Sequence, residues 1–448
     1  MTDRITHAYL GMLVGQRKFH ELRQTLASMN EVDIADFINN LPSDAAVITF
    51  RMLRKHTAAD VFAELDSEIQ RQLAETITDR EITALFDTLA VDDAVDMLEE
   101  MPGELVKHIL KNASPSMREL FNQYLRYPAD SVGSVMTAEF TDLRPDMTAA
   151  QAIAHIRSVG QDKETIYTCY VVDEHSILLG VITVRTLITA KDSDLVGTLM
   201  SSNVISVNTT DTSESASILL SRYGFISLPV VDDDNHLVGI VTIDDAVDIL
   251  QDEATEDLEL MAAMSPSDKP YLKTTVMALA RNRFLWLLIL MLSGVVSQMV
   301  VGQYETAISA VPLLVAFIPM LSDMGGDAGS QVSTLVIRGM ALDEIEARDT
   351  MLLVGKELMV SMMVAIPLGI INFMRIYLGH GEPIVALTIS LSLVCTITMA
   401  NALGVILPVF ARFLKIDPAM MATPMIASIV DILSMIIYFG ISVALLHI

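Results

Sequence analysis

Positive charge is scarce in this chain. Against 56 Asp and Glu stand 29 Lys and Arg, a formal balance of −27 at pH 7. A polyanion of this kind has no electrostatic footing on a phosphate backbone, which excludes nucleic acid as a partner. Cysteine is nearly missing as well. Cys169 and Cys395 are the only two and fall in different halves of the chain, so neither a disulfide framework nor a Cys-based metal site is expected. The opening stretch MTDRITHAYLGMLVGQRKFH lacks the apolar core of a signal peptide. Nowhere is there a nucleophile–base pair, a P-loop or a metal-hydrolase motif, and this argues against an enzyme.

Apolar residues are abundant: 52% of the chain is hydrophobic and the mean hydropathy is +0.47, too high for a soluble protein. At 448 residues there is room for several domains. The acids are unevenly placed. Residues 271–448 hold 11 acids and 9 bases, which leaves 45 acids and 20 bases, net −25, in residues 1–270. An acidic soluble half therefore joins a nearly neutral membrane half.

Residues 1–127 read as short helices. Apolar positions recur at helical spacing in DIADFINNL, ADVFAELD, EITALFDTL and DAVDMLEEM, with Ser43 and Asp92 expected as N-caps. A weak repeat of one helix per 15–17 residues predicts a helical solenoid. Its acids, Asp92, Asp93, Asp96, Glu99 and Glu100, are expected on the outside, as a solvated face or as part of a cation-binding surface shared between domains.

YPADSVGSVMT closes this region, and residues 128–249 then repeat one order of elements twice, with a boundary near 192/193. The first copy has VGSVMT, DMTAAQAIAHIR, TCYVVDE and LLGVITVRTLI. The second has VGTLMS, DTSESASILLSRYG, ISLPVVDDDN and LVGIVTIDDAVDIL. Each reads β-α-β-β-α with a Gly before its last strand. The pair resembles tandem CBS domains. That resemblance implies an adenine nucleotide such as ATP as a candidate ligand. The family's Ser/Thr-x-x-Asp motif is kept as Thr242 to Asp245, while the first copy has Thr183 and Thr186; Tyr170 is a candidate for stacking on a base.

Residues 250–276 form an acidic connecting helix and linker. From Asp244 to Met264 there are eight acids and no base, so like charges meet at i,i+4 and the helix repels itself. Hard carboxylate oxygens suit Mg²⁺ and Ca²⁺, and a divalent cation is the natural compensating charge; a solvated linker helix is the bland alternative. The carboxylates assigned to a cation-sensing surface are Asp92, Asp93, Asp96, Glu214, Asp244, Asp245, Asp248, Glu253, Glu256 and Asp257. SPSDKP is expected to break the helix.

Residues 277–448 contain five apolar segments: Phe284–Val301, Ile308–Met340, Met351–Leu378, Ile384–Leu414 and Met420–Leu446. With residues 1–270 inside, eight of the nine bases from Lys273 to Lys415 fall on the inner side and only Arg375 falls outside. This predicts a multi-pass protein of the plasma (inner) membrane, N-terminus cytoplasmic and C-terminus outside. Five spans without an inverted repeat fit a pore completed by a second copy of the chain. The second segment holds Pro319, Asp323, Gly325, Gly326, Asp327, Gly329 and Gln331; its Pro and Gly are expected to break or thin the helix, and Pro319, Asp323, Gly325, Gly326, Asp327 and Gln331 to line a path. In the fifth, Asp431 is the single formal charge, expected near mid-membrane. A carboxylate there marks a functional site unless it is a protonated helix–helix partner. Asp417, Pro424 and Asp431 follow at seven-residue steps, which predicts one shared face, with Thr423, Ala427 and Ser428 keeping their surroundings small.

The order of helical domain, CBS pair, acidic helix and five spans resembles the MgtE family of magnesium channels. GGDAGSQ, Lys356-Glu357, and Asp417-Pro418-Ala419 through Pro424 to Asp431 carry the likeness. The resemblance implies a homodimer in the lipid bilayer, with the pore between second and fifth helices on the two-fold axis. Asp431 of each copy would face its twin, with Asp417, Thr423 and Ala427 along the path. The acidic helix would be a plug, held closed when cytoplasmic Mg²⁺ bridges it to the CBS and helical domains. Asp327 stands where the family usually has Asn, and Gly224 where a relative has an acidic sensor ligand. Transport of Co²⁺, Ni²⁺ or Mn²⁺ is a rival reading, since all accept oxygen ligands, although neither His nor Cys lies on the pore face. A nucleotide-regulated anion channel is opposed by the mid-membrane acids.

Overall fold

The computed structural model describes residues 2–86, 88–89, 91–128, 130–267, 271–272, 274–342 and 344–447. It divides into two compact units, Met1–Leu250 and Gln251–Ile448.

The first unit starts with short helices: α1 (Thr2–Gly15), α2 (Phe19–Leu26), α3 (Glu31–Asn39), α4 (Ser43–Phe50) and α5 (Lys55–Ala63). They continue as α6 (Ser67–Thr76), α7 (Asp79–Phe86), α8 (Val91–Glu100), α9 (Gly103–Asn112) and α10 (Pro115–Tyr124). A helix of this length is marginal alone and is held by its apolar face. From α3 on, each packs on the second helix along: α3 on α5, α4 on α6, α5 on α7, α6 on α8, α7 on α9, α8 on α10. That is the solenoid pattern expected from the repeat. Phe50 and Phe62, and Phe86 and Phe121, are ring pairs inside it. Helix starts differ by a residue from expectation: Ser43 and Asp92 lie within the first turn, after Pro42 in the one case and Val91 in the other.

Two α/β modules follow. The first contains α11 (Val132–Val135), β1 (Asp142–Leu143), α12 (Ala149–Val159), β2 (Thr168–Val172), β3 (Leu178–Thr183) and α13 (Val184–Thr189). The second contains α14 (Val196–Leu199), β4 (Val207–Asn208), α15 (Ser213–Tyr223), β5 (Ser227–Val231), β6 (Leu237–Thr242) and α16 (Ile243–Met261). Both sheets have one parallel and one antiparallel pairing, with a register shift at the same point, Val171/Val172 and Val230/Val231. The repeat extends to single atoms. Gly180 and Gly239 lie within the last strands, where a Cβ would sit 2.7 Å from the Met200 and Met136 sulfurs respectively. The lead-in segments are exchanged, however. Thr137 bridges to Ile240 and Ser201 to Val181, so VGSVMT packs on the second module and VGTLMS on the first. Sequence order assigned each to its own copy; the glycine slot that accepts the methionine lies in the other one.

The second unit includes α17 (Val276–Gln303), α18 (Glu305–Ala310), a 3₁₀ turn at Pro312–Phe317, α19 (Ile318–Ala341), α20 (Thr350–His380) and α21 (Pro383–Phe413). A 3₁₀ turn at Pro418–Met421 leads into α22 (Thr423–Leu446). Among the described residues, four of these stretches are long and apolar enough to cross a membrane: Val276–Gln303, Ala347–His380, Pro383–Phe413 and Pro418–Leu446. α19 is 24 residues long, and its acids, amide and hydroxyls keep it out of that set. α21 is central and packs on α19, α20 and α22. α17 packs on α22 and buries only Trp286.

The glycines of α19 overturn one expectation. The helix runs unbroken from Ile318, with Pro319 in its first turn, where a missing N–H costs nothing. Gly325, Gly326 and Gly329 are buried rather than pore-lining. A Cβ on Gly325 would lie 2.7 Å from Thr396 Cγ2 and 2.8 Å from Val430 Cγ1; one on Gly326 would lie 3.3 Å from Ala427 Cβ. They are a small-residue seam that lets backbones approach, as membrane helices require. Gly404 on α21 completes it, since a Cβ there would stand 2.7 Å from the Gly329 carbonyl oxygen. Gly404→Val should therefore lower the stability of the bundle by about 1–3 kcal/mol or more, since backbone cannot yield. Gly440→Ala, with no atom within 4 Å of the added Cβ, should be neutral. Thermal melts of the detergent-solubilised chain check this; equal melting of the two variants would contradict the seam.

Candidate ion path and carboxylate clusters

On α19 the residues at positions 319, 323, 327 and 331 recur every four and all are exposed. Successive members turn by about 40°, so Pro319, Asp323, Asp327 and Gln331 form one polar stripe opposite the glycine seam. Beside it on α22, Thr423 is exposed and Ala427 and Asp431 are half-buried. Asp431 accepts a hydrogen bond from the Ser322 hydroxyl of α19, which ties the two helices together. The bond joins helix to helix with the hydroxyl as donor, so it does not require the protonated Asp weighed above, and it leaves one carboxylate oxygen free of that bond. Ser322 was not singled out from the sequence; its place four residues before Gly326 in a polar helix was the available signal.

Asp417 does not share the helical face of Pro424 and Asp431. It precedes the 3₁₀ turn, and its Oδ1 accepts from the Ala419 amide at 2.7 Å. The reason is Pro418, whose ring and missing N–H favour a fresh start over continued α-helix. Asp431 is consequently the ninth residue of α22, about 12 Å along it. The carboxylate of Asp257 on α16 lies near Asp417. Burial, then Asp417, then Glu256 push its pKa up, and Arg338 opposes them. Around these groups Leu260, Ile337, Ala419 and Ala422 form an apolar cluster, so the end of α16 packs on the entrance to α22.

A separate carboxylate cluster lies in the first unit. Burial pushes Asp93 up to about 6, and Asp245, Glu64, Glu139 and Asp60 all add to it. Glu164 is pushed up to about 7 by burial and by Asp244, Asp245, Glu139 and Asp93. Both keep solvent contact at their surface but stand among enough protein for burial to dominate. Asp245 is raised by burial first, although the Thr242 hydroxyl bonded to it works the other way. Glu64 is raised by burial, Asp248 and Asp36. Among the described residues, the charges that act most on Asp93 and Glu164 are other carboxylates. Such a set is chemically suited to a hard divalent cation.

The sensing surface expected from sequence thus falls into two groups. Asp93, Asp244, Asp245 and Asp248 belong to the first unit's cluster. Glu253, Glu256 and Asp257 lie beyond its boundary, in the second unit. Glu214 sits in the first turn of α15, where the helix dipole favours an acid. The side chains of Asp92, Asp96, Glu99 and Glu100 lie outside the described residues. Glu64, Glu139 and Glu164 were missed because they come from segments with no acidic run. Gly224 is the left-handed C-cap of α15, φ +64°, which explains a glycine where an acid was looked for.

At the CBS pair, Thr242 and Asp245 keep their motif contact, and in the first copy Thr183 Oγ1 meets Thr186 Oγ1 at 3.0 Å. Tyr170 cannot stack on a base from where it stands. It is 0% exposed, its hydroxyl 2.7 Å from Ser227 Oγ, and Phe140 meets its ring edge-on. β2 is buried on both faces from Cys169 on, so strand alternation offers Tyr170 no solvent side.

Family models match along the chain: a divalent cation transporter domain (MgtE) at residues 318–441, an MgtE intracellular N domain at 29–130, and CBS domains at 132–193 and 196–252. The chain is 32% identical to magnesium transporter MgtE of Thermus thermophilus over 429 residues, covering 95% of both chains. It is 30% identical to magnesium transporter MgtE of Bacillus subtilis over 436 residues, 97% of this chain and 96% of that one. Among solved structures it resembles the cytosolic domain of the Mg²⁺ channel MgtE in complex with ATP. That match has a TM-score of 0.52 at 30% identity, over 54% of this chain and 99% of that one. The soluble part of a magnesium transporter matches with a TM-score of 0.53 at 26% identity, over 56% and 99%.

The raised carboxylates fix a pH dependence. Between the ordinary pKa of a carboxyl and the raised folded values of about 6 and 7, the folded state binds more protons than the unfolded one. Stability contributed by Asp93 and Glu164 is therefore present at low pH and lost as pH rises through that window. Without divalent cations the full chain should melt lower at pH 7.5 than at pH 5. Added Mg²⁺ should raise the melting temperature more at pH 7.5, where protons no longer compete. Circular dichroism melts read both, and Asp93→Asn with Glu164→Gln should flatten the difference. A cation effect of equal size at both pH values would contradict the cluster's role.

Proposed function

The chain belongs to the MgtE family of magnesium transporters, a family of membrane transport proteins rather than enzymes, and on that premise we propose that it is a Mg²⁺-selective uptake channel closed by cytoplasmic Mg²⁺. The observation that carries this reading is the polar stripe of α19 beside Asp431. Asp323, Asp327 and Gln331 stand exposed on a helix of an otherwise apolar bundle. Carboxylates at membrane depth need water or protein against them. A second copy of the chain, placed about a two-fold axis along α19 and α22, supplies both.

In that dimer two Asp431 carboxylates face each other across the path. Mg²⁺ gives up its water reluctantly, so a pair of carboxylates holds the hydrated ion through outer-shell hydrogen bonds. Two negative charges in a low-dielectric passage favour a divalent over a monovalent cation. The bond from Ser322 orients the carboxylate and leaves its other oxygen for the ion's water. Asp417 and Asp257 stand at the cytoplasmic mouth. When cytoplasmic Mg²⁺ is high, it offsets the repulsion within the acidic clusters and holds α16 in place; when it falls, the carboxylates repel and α16 releases the entrance. The N-terminus is cytoplasmic, the C-terminus outside, and a nucleotide in the CBS cleft held through Thr242 and Asp245 tunes closure.

Asp431→Asn keeps shape and hydrogen-bonding capacity and removes only the charge. Mg²⁺ uptake by cells depending on this protein should fall on the order of tenfold or more, a barrier rise of about 1.4 kcal/mol per decade. Undiminished uptake at equal membrane levels would leave the carboxylate a purely structural partner of Ser322.

Oxidative crosslinking tests the dimer. Ser434 is buried and bonded to the Asp431 carbonyl, so it is a poor probe. Gln331→Cys, in a background with Cys169→Ala and Cys395→Ala, should give disulfide dimers in the membrane. Leu352→Cys, 74% exposed on α20, should give none. Equal crosslinking of both, or of neither, would place the axis elsewhere.

A further inference from the structure

The N-terminal solenoid carries a feature at odds with the acidity around it. Residues 17–23 and 51–55 hold Arg17, Lys18, Arg23, Arg51, Arg54 and Lys55, six of the twenty bases in residues 1–270. Between α2 and the start of α5 these segments wall a cavity of about 380 Å³. Leu26, Met52 and Leu53 line its apolar part. At its rim stand His20, Arg23 and Gln24 from α2, and Arg54 and Thr57 from α5; Glu31 is the one carboxylate among them. Lys18 and Arg51 pair with Glu21 and Glu81, whereas among the described residues Arg23 and Arg54 form no ion pair. Two guanidinium groups thus converge on a concave site with their charge unspent.

A second observation concerns the helix behind them. α5 has nine residues, and its N-cap is Arg54, with no side-chain hydrogen bond to the first-turn amides. The usual caps there are Ser, Thr, Asp or Asn, because a side-chain oxygen satisfies one of the orphan N–H groups. A cation in that position leaves the amides unsatisfied and adds its own charge to the positive end of the dipole. Open amides, an adjoining pair of guanidinium groups and a neighbouring imidazole are the donor set that phosphate oxygens fill.

We propose that this cavity of the solenoid, between α2 and the amino end of α5, binds a phosphate-bearing small anion, with Arg23 and Arg54 as its principal contacts. Its apolar part has room for the organic portion of a nucleotide, and the same donor set takes inorganic pyrophosphate. Glu31 disfavours a second acid beside the phosphate and so sets the site against large polyanions. The site is separate from the carboxylate clusters in its chemistry, since Glu31 is the one carboxylate among its lining residues.

Equilibrium dialysis of the full-length chain in detergent, in a parent carrying Asp245→Asn so that the CBS cleft does not contribute and with Mg²⁺ removed by chelation, tests this with radiolabelled pyrophosphate and, in a second arm, ATP. Expected is one saturable site per chain whose affinity drops at least about tenfold in Arg23→Gln with Arg54→Gln and with rising salt. Arg222→Gln, a guanidinium elsewhere on the surface, should bind as the parent does. Arg54→Lys should retain part of the binding, which separates a role in ligand contact from a defect in folding. Loss of ATP binding alone in the double variant identifies an organic phosphate as the occupant; loss of both identifies the phosphate group itself. Failure of both probes to saturate, or binding equal in parent and double variant, overturns the assignment.

Discussion

Carboxylates held close together in partly desolvated surroundings cannot all remain charged unless a proton or a cation joins them. Much of this molecule follows from how that problem is arranged. In the first unit burial pushes the pKa values of Asp93 and Glu164 up; Asp245 and Glu139 add to both, and Asp244 to that of Glu164. In the second, Asp257 meets Asp417 with only Arg338 opposing. The membrane bundle repeats the pattern with Asp323, Asp327 and Asp431. A fold that collects like charges in three places gives up stability in each, and a binding partner of opposite sign restores it. The family's transported ion, a hard divalent cation, matches that requirement in charge and in ligand preference.

The bundle shows the complementary device. Glycine and alanine at 325, 326, 329, 404 and 427 bring α19, α21 and α22 into backbone contact, so the apolar side of α19 is filled by its own chain. That packing decides which side remains. Four residues apart, Asp323, Asp327 and Gln331 are turned outward together because the seam claims the opposite side. Ser322, at the border, reaches across to Asp431. Small residues and acids in the same segment are thus two halves of one arrangement, one packed in helix contact and one left polar and exposed.

How far this was legible in the sequence depends on the range of the signal. Periodicity of 15–17 residues gave the solenoid, and the duplicated strand order gave the CBS pair, because both are local. Asp431 stood out since a single charge in an apolar run has a large cost wherever it lands. The misreadings are all cases in which a distant neighbour decides. Tyr170 looked available until Ser227, 57 residues on, took its hydroxyl. GGDAG looked like a break because nothing local announces that α21 and α22 need the space. Glu164 and Glu139 were invisible because each is an unremarkable acid in its own segment. The exchange of VGSVMT and VGTLMS between modules escaped notice for the same reason: two near-identical slots cannot be told apart by local pattern.

One helix links these levels. α16 begins beside Thr242 with Asp244 and Asp245, and ends with Asp257, Leu260 and Met261. Its early acids belong to a cluster that contacts solvent and is therefore open to the protons and cations dissolved there. Its late residues pack on Ile337 and Ala419, at the entrance to the segment that carries Asp431. An acidic helix with no base along its length has little to hold it in place electrostatically, so its position must rest on the apolar contacts at the far end and on whatever neutralises the near one. The apolar cluster is small, four buried residues, and burying a few such side chains amounts to several kcal/mol at most. Ion occupancy at a handful of carboxylates is worth a comparable amount, about 2.7 kcal/mol for a single site at a hundredfold excess over its dissociation constant. The two quantities are thus of the same size, so neither would dominate the other. A larger apolar contact would outweigh anything a bound cation contributes at these carboxylates, and a smaller one would be outweighed by it.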